Sequence, residues 1–198
     1  MYTIFINDTV INLTDDHNFK DENSFVNYED IELTEILGKV EKEALKLVYL
    51  YHNNIKFLWT DFKKQFKIIE AAGGVVFNEY AQVLWIYRNE RWDLPKGKIE
   101  KNEEARMAAI REVAEECGIK NLVLMEFIMP TYHIYHHEKR NVLKITHWYE
   151  MFAESHQELI PQLEEGITKV SWLDTAAMKD VLKDTYGNIK LLFEHLKR

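Results

Sequence analysis

Residues 97–119 read GKIEKNEEARMAAIREVAEECGI, and the spacing of the glutamates in this stretch predicts how it folds. Glu112, Glu115 and Glu116 stand at positions i, i+3 and i+4, so a helix places their carboxylates on one face, within reach of a common ion. The opposite side carries an apolar stripe with which the helix can pack on a sheet, formed by Met107, Ile110, Ala114 and Cys117. We therefore predict an amphipathic helix from Glu103 to Cys117.

The glutamate cluster itself indicates a metal site. Like charges on one helical face repel one another, and an ordinary surface helix gains no stability from that arrangement. Carboxylate oxygens are hard ligands that suit Mg2+ or Mn2+, which keep several waters and bind substrate phosphates at the same time. The alternative is a solvated acidic face, as most charged helical faces are. Arg111, the flanking Gly97 and Gly118, and the loop before the helix favour the metal site.

The same stretch resembles the box of the Nudix hydrolase superfamily at every specified position. Gly97 is followed after five residues by Glu103, after seven more by Arg111-Glu112-Val113, and then by Glu115-Glu116 and Gly118-Ile119. The resemblance is close over residues 97–119, looser over about 68–195, and absent from the N-terminal third. It implies an α/β/α sandwich with a mixed sheet, in which the box forms a loop, a helix and a second loop.

The resemblance also implies a reaction and a role for each box residue. Divalent cations, Mg2+ or Mn2+, would bridge the carboxylates and a substrate diphosphate, and an activated water would attack phosphorus. Glu112 and Glu116 resemble the principal metal ligands, and Glu115 resembles a ligand or the base. Three further groups complete the implied site: the carbonyl of Lys96 as a backbone ligand, and Glu103 with Arg111 as the pair that orients it. Some relatives add a carboxylate near the place of Glu164 and Glu165, although Gly166 occupies the expected offset.

Lysines and an arginine near the box predict the substrate class. The run WDLPKGKIE, residues 92–100, resembles Nudix members that act on dinucleoside polyphosphates or diphosphoinositol polyphosphates. Lys96 and Lys98 would bring positive charge beside the metal; the alternative is two solvated loop lysines. We expect further contacts to distal phosphates from a predicted hairpin, through Lys139, Arg140 and Lys144. The histidines of that hairpin are expected to be ordinary polar residues, since they lack ligand spacing with a carboxylate.

These features predict a metal-dependent hydrolase that cuts a phosphoanhydride bond in a nucleoside diphosphate linked to another group. The substrate would be a small-molecule nucleotide or polyphosphate. The alternative is a Nudix-fold nucleotide-sensing regulatory module without turnover, against which the intact glutamates argue. An isomerase of isopentenyl diphosphate has a related fold but needs a catalytic cysteine and metal-binding histidines that this sequence does not offer at matching places.

A change of pattern near residues 66–72 divides the chain. We predict a small α/β N-terminal appendage over residues 1–66 and the hydrolase domain over 67–198. An appendage of this size has marginal stability alone, so it should pack on its neighbour or on a second subunit, which is compatible with a homodimer.

The sequence predicts the following elements along the chain. They are a hairpin turned at Asn7 and Asp8, helices at 30–42, 57–66, 103–117 and 175–195, and strands at 45–52, on both sides of 78–79, and at 122–129, 130–137, 142–152 and 169–173.

Composition limits the kinds of partner. The formal net charge of -8 arises in the segment from Asp8 to Glu43, which contains eleven acidic residues and three lysines, while positive and negative charges balance in the rest of the chain. This argues against general nucleic-acid binding and against binding to an anionic membrane. The sequence contains no apolar run of roughly 20 residues and no signal peptide, so we expect a cytoplasmic protein. Cys117, the one cysteine, is expected to be a buried structural thiol.

Overall fold

The computed structural model describes residues 1–7, 9–18, 25–41, 45–137 and 140–197. They belong to two compact units. The first contains Met1–Ile69 and Tyr132–Lys144, and the second contains Glu70–Thr131 and Ile145–Arg198. Within the described ranges, each helix is too short or too polar to cross a bilayer.

The described elements are eleven strands and five α-helices. The strands are β1 (Tyr2–Ile6), β2 (Thr9–Thr14), β3 (Phe25–Asn27), β4 (Leu47–Tyr51), β5 (Lys67–Phe77), β6 (Val83–Arg88), β7 (Arg91–Asp93), β8 (Lys96–Lys98), β9 (Val123–His137), β10 (Arg140–Phe152) and β11 (Ile167–Leu173). The helices are α1 (Leu33–Glu41), α2 (Ile55–Lys64), α3 (Ala105–Cys117), α4 (Thr175–Asp184) and α5 (Gly187–Leu196).

The first unit is a small α/β structure. Its strands follow the order β9-β1-β2-β4-β3. The predicted hairpin is present, with β1 antiparallel to β2, although Asp8 at its turn lies outside the described residues. Three further pairs are parallel, β1 with β9, β2 with β4 and β3 with β4, and Ile4 of β1 lies opposite Tyr132 of β9. Asn54 caps the N-terminus of helix α2, since its side chain accepts hydrogen bonds from the backbone N–H groups of Lys56 and Phe57, and the helix buries Leu58 and Phe62.

The second unit places helices on both faces of its sheet, because side chains alternate along each strand. On β5, Ala72 and Val76 pack in one core with Val113 of α3. Val75, between them, packs in a second core with residues of α4 and α5, where Trp85 of β6 stacks on Phe193 at 5.3 Å between ring centroids. The predicted α/β class and the mixed sheet with packed helices are confirmed.

Several predicted elements differ from those observed. The predicted loop before α3 contains two short strands, β7 and β8, which pair with β6 and β5. The two strands predicted on either side of residue 130 are one strand, β9, because the φ angle that Pro130 imposes is compatible with an extended chain. The predicted C-terminal helix is two helices, because Thr185 is extended and its hydroxyl donates to the carbonyl of Trp92 at 2.7 Å.

The buried side of α3 also differs in part from the predicted stripe. Met107 is half exposed, and the helix instead buries Ala108, Ala109 and Val113. Cys117 is buried as expected, and its burial raises the pKa of the thiol. The helix ends at Gly118, which has a φ of 74° that favours glycine. A side chain there would also meet Ile160, since a Cβ would lie 2.7 Å from the Cβ of that residue.

Candidate active site

Arg111 lies at the centre of the candidate site, where it joins the box loop to helix α3. Its Nε and Nη2 donate to the two carboxylate oxygens of Glu103 at 2.8 and 2.9 Å, and Nη2 also donates to the carbonyl of Lys98 at 3.0 Å. Its Nη1 donates to Glu112 at 2.8 Å and to Glu115 at 3.0 Å. The guanidinium lowers the pKa of Glu103 to about 2, with help from the backbone N–H of Glu100.

Gly97 lets strand β8 approach the carboxylate of Glu112. A Cβ atom at this position would lie 1.8 Å from Oε2 of Glu112 and 2.1 Å from its Cδ. Both distances are far below van der Waals contact, so any larger residue would displace the strand or the glutamate. The first glycine of the box is therefore required by the packing of β8 against α3.

Glu116 is buried, with a side chain only 2 % exposed. Its Oε2 accepts the backbone N–H of Lys96 at 2.9 Å, and its Oε1 lies 3.5 Å from Nη1 of Arg88 on β6. Burial raises the pKa of Glu116 to about 7, and the charges of Lys96 and Arg88 oppose that rise. Arg88 was not predicted from the sequence, in which it is one more charged residue at the end of a strand.

The three glutamates do lie on one helix, but they are not equally accessible. The side chain of Glu115 is 49 % exposed, whereas that of Glu112 is 14 % exposed. The spacing predicted the shared helix; it did not predict that β8 would cover two of the three carboxylates. Glu164, which lies near the place of the additional carboxylate of some relatives, lines a cleft together with Glu115 beside the C-terminal end of α3.

The predicted substrate contacts occupy different environments. The Lys96 ammonium is buried, where it contacts the carboxylate of Asp93 and donates to the carbonyl of Leu94 at 3.2 Å, so it differs from the expected phosphate contact. Lys98 is exposed beside the box. Arg140 is exposed and Lys144 is partly buried, and both belong to the first unit. Lys139 lies outside the described residues.

The donor atoms of the site fit a hard divalent cation. Among the described residues, no three or more histidine, cysteine or acidic side chains form a ready ligand cluster. The oxygens of Glu112 and Glu115 nevertheless converge on one cationic nitrogen, Nη1 of Arg111, which shows that the site accommodates positive charge between them. The ligands predicted from the sequence, these two carboxylates with Glu116 and the Lys96 carbonyl, are all oxygen donors, the kind that Mg2+ and Mn2+ prefer.

Two comparisons of sequence show what the chain is similar to. It is 30% identical over 152 residues to the m7GpppN-mRNA hydrolase of Saccharomyces cerevisiae (strain ATCC 204508 / S288c), a match that covers 73% of this chain and 14% of the yeast protein. It is 44% identical over 51 residues to a putative 8-oxo-dGTP diphosphatase of Bacillus subtilis (strain 168), over 25% of this chain and 34% of that protein. The chain thus spans only a small part of the curated relatives it matches.

Solved structures share the fold. The C. elegans Ap4A hydrolase in a binary complex aligns with a TM-score of 0.52 and 20% identity, over 65% of this chain and 95% of that one. The MutT protein from Methanosarcina mazei Go1 aligns with a TM-score of 0.52 and 20% identity, over 68% of this chain and 96% of that one. The family model of the NUDIX domain matches residues 67–194, which include the whole box and most of the chain. With the box residues assembled around Arg111 as described, that match shows that this chain belongs to the Nudix family.

Proposed function

We propose that the chain is a metal-dependent hydrolase that cleaves a phosphoanhydride bond in a nucleoside diphosphate linked to another group. The observation that supports this most directly is the arrangement around Arg111, which gathers Glu103, Glu112 and Glu115 beside the backbone of β8. Similar proteins bear the names of hydrolases or of a diphosphatase: m7GpppN-mRNA hydrolase, putative 8-oxo-dGTP diphosphatase and Ap4A hydrolase.

The proposed cofactor is Mg2+ or Mn2+, held by Glu112, Glu115, Glu116 and the Lys96 carbonyl. When bound, such a cation neutralises phosphate charge and acidifies a water molecule. The chain's own residues supply the geometry. Arg111, fixed by both oxygens of Glu103, holds Glu112 and Glu115 at the surface of α3. Glu115 is the most exposed of the three glutamates, so a carboxylate oxygen of Glu115 that does not hold the cation can accept a proton from the attacking water.

A substrate panel tests this proposal. Nucleoside triphosphates, dinucleoside polyphosphates, nucleotide sugars and diphosphoinositols would be incubated with Mg2+, and the products resolved by chromatography. We expect cleavage of at least one class into two products that each end in phosphate. Lys101→Met, which changes an exposed lysine in the box loop, serves as the control with unchanged activity. Binding of nucleotides without cleavage of any class would instead support the regulatory module.

Within this function, we infer that the preferred substrate has more phosphates than a simple diphosphate ester. A bound metal already neutralises a short diphosphate, whereas a chain of four or more phosphates has charge left for basic side chains, a role for which the sequence predicts Lys98, Lys139, Arg140 and Lys144. Replacing the last three together with alanine should raise KM for a polyphosphate at least tenfold and leave Mn2+ affinity nearly unchanged. An unaltered KM, or a wild-type preference for ADP-ribose or a nucleotide sugar, would contradict this inference alone.

A further inference from the structure

A buried ion pair joins Asp93, at the end of β7, to Lys96, at the start of β8 and immediately before the first residue of the box. Only 6% of the Asp93 side chain and 9% of the Lys96 side chain are exposed. One carboxylate oxygen of Asp93 contacts the Lys96 ammonium, and the other accepts the backbone N–H of Leu94 at 2.8 Å. Lysine is almost never buried unless it is paired, because removing its charge from water is unfavourable. The pair therefore fixes the Lys96 side chain inside the protein.

The peptide group between Pro95 and Lys96 is fixed at both of its polar ends. The carbonyl of Pro95 accepts the backbone N–H of Gly74 at 3.1 Å, and the N–H of Lys96 donates to Oε2 of Glu116 at 2.9 Å. A peptide group is planar, so the bond to β5 also sets the direction in which the Lys96 N–H points. Gly73 permits this close approach, since a Cβ there would lie 2.4 Å from the Pro95 carbonyl oxygen.

We propose that Asp93 is a positioning residue of the active site, which holds the Lys96 side chain so that the Lys96 backbone N–H orients the Glu116 carboxylate. This inference rests on the proposed function, and it adds Asp93 to the residues on which the reaction depends. Without the ion pair, the side chain of residue 96 is no longer held at position 93, and an unpaired ammonium also gains by moving towards water, so the backbone of residue 96 can turn. Glu116 then loses its hydrogen bond, and the predicted ligand carbonyl of Lys96 moves as well.

The proposal also gives the lysine of the PKG sequence a structural role. Its ammonium group is already satisfied by Asp93 and the carbonyl of Leu94, and it is buried away from water. A lysine that contacted phosphate would act mainly on KM. A lysine that acts through Glu116 should act on metal affinity and kcat, with little effect on KM for the nucleotide.

Three variants test the proposal: Asp93→Asn, Lys96→Met, and the two changes together. Asn retains the acceptor for the Leu94 N–H and is the mildest change. Each single variant leaves one member of the pair without its partner, so both should be destabilised, whereas the double variant removes both charges and should recover much of that stability. Lys101→Met is the control for the loss of a lysine from the box loop.

The double variant is the most informative because it leaves the net charge unchanged. In Lys96→Met alone, the loss of a positive charge would strengthen cation binding. In the double variant the net charge is unchanged, so a weaker affinity for Mn2+ reports altered geometry. We expect at least a tenfold weaker Mn2+ affinity by electron paramagnetic resonance and at least a tenfold lower kcat, with KM within threefold of wild type. Exchange of the backbone amide of residue 96, measured by NMR without metal, should be at least tenfold faster than the change in global stability explains.

A stable double variant with the Mn2+ affinity of the wild type and wild-type protection of the residue 96 amide would overturn the proposal, because the pair would then serve only stability. A raised KM with unchanged kcat and metal affinity would overturn it too, since Lys96 would then be a substrate contact. Failure of the proposed function is a separate result: the wild type would cleave no member of the panel, while metal affinity and amide exchange would still test the role of Asp93.

Discussion

Arg111 makes five hydrogen bonds, and they determine which groups of the box lie together. The bidentate contact with Glu103 fixes the guanidinium plane, so the remaining N–H groups point at Glu112, Glu115 and the Lys98 carbonyl. Helical spacing alone predicted that the glutamates share a face. It did not predict the burial of Glu116, because that burial depends on a strand, β8, whose three residues resemble a loop in the sequence.

The burial of Glu116 predicts an unusual pH dependence of stability in the absence of metal. The folded-state pKa of about 7 exceeds the ordinary value of 4.5, so the folded protein holds this proton more tightly than the unfolded chain does. Its contribution to stability is fully present below pH 4.5 and is lost as the pH rises through 7. Glu116→Gln has no proton to lose, so with EDTA at pH 8 we expect it to be about 3 kcal/mol more stable than the wild type.

This difference should shrink as the pH falls to 5, and urea unfolding at the two pH values measures it. The same variant should lower turnover by orders of magnitude, because it removes a predicted ligand charge. Glu126→Gln, at an exposed glutamate on β9, is the matched control. An equal stability difference at both pH values would argue against the buried carboxylate, and unchanged turnover would argue against its role as a ligand.

Among the elements, those with a strong local signal were predicted correctly. The spacing of the glutamates predicted helix α3, and apolar runs on either side of the turn at Asn78 predicted β5 and β6. Short strands and the break between α4 and α5 were missed because they depend on tertiary contacts. The hydroxyl of Thr185 bonds to the carbonyl of Trp92, far away in sequence, and nothing local to residue 185 indicates that contact.

The close approach of β8 to α3 predicts a large effect of Gly97→Ala. The added Cβ would lie 1.8 Å from Glu112, so the strand or the carboxylate must move. We expect Mn2+ affinity and turnover to fall at least tenfold and stability to fall by about 1 to 3 kcal/mol. Isothermal titration with Mn2+, kinetic assays and thermal unfolding measure the three effects.

Gly38→Ala provides the matched control for this substitution. Gly38 lies in α1, and a Cβ there would have nothing within 4 Å. Alanine in a helix should raise stability by up to about 1 kcal/mol, with activity unchanged. If Gly97→Ala behaves like Gly38→Ala, the packing of β8 against α3 is not required for the site.

At the scale of the whole molecule, the first unit includes more than the predicted appendage. It combines residues 1–69 with Tyr132–Lys144, a segment that follows the box in the chain. Ile4 lies opposite Tyr132 across a parallel strand pair, and the ring of Trp59 lies 4.8 Å from that of Tyr132. A boundary at 66/67, a homodimer and a cytoplasmic location stay predictions of the sequence.

Deletion of residues 1–66 should damage solubility or assembly more than metal binding at the box. It removes the partners of Tyr132 and exposes Ile134, which is buried in the intact chain, whereas every box residue is retained. Size-exclusion chromatography and Mn2+ titration measure the two effects. Adding Tyr132→Ser and Ile134→Ser should restore solubility to the truncated chain. A soluble truncated protein with unchanged quaternary state, or a folded one that binds no metal, would contradict this prediction.

Metal dependence is tested by the initial rate of hydrolysis of the best nucleotide substrate, measured with Mg2+, with excess EDTA, and after Mg2+ is restored. We expect hydrolysis with Mg2+ or Mn2+, its loss in EDTA and its recovery when Mg2+ exceeds the chelator. Glu112→Gln should lower the rate with Mg2+ by orders of magnitude while the circular dichroism spectrum stays native. Full turnover in excess EDTA, or an unchanged rate in the folded Glu112→Gln variant, would contradict a metal-dependent hydrolase built on this box.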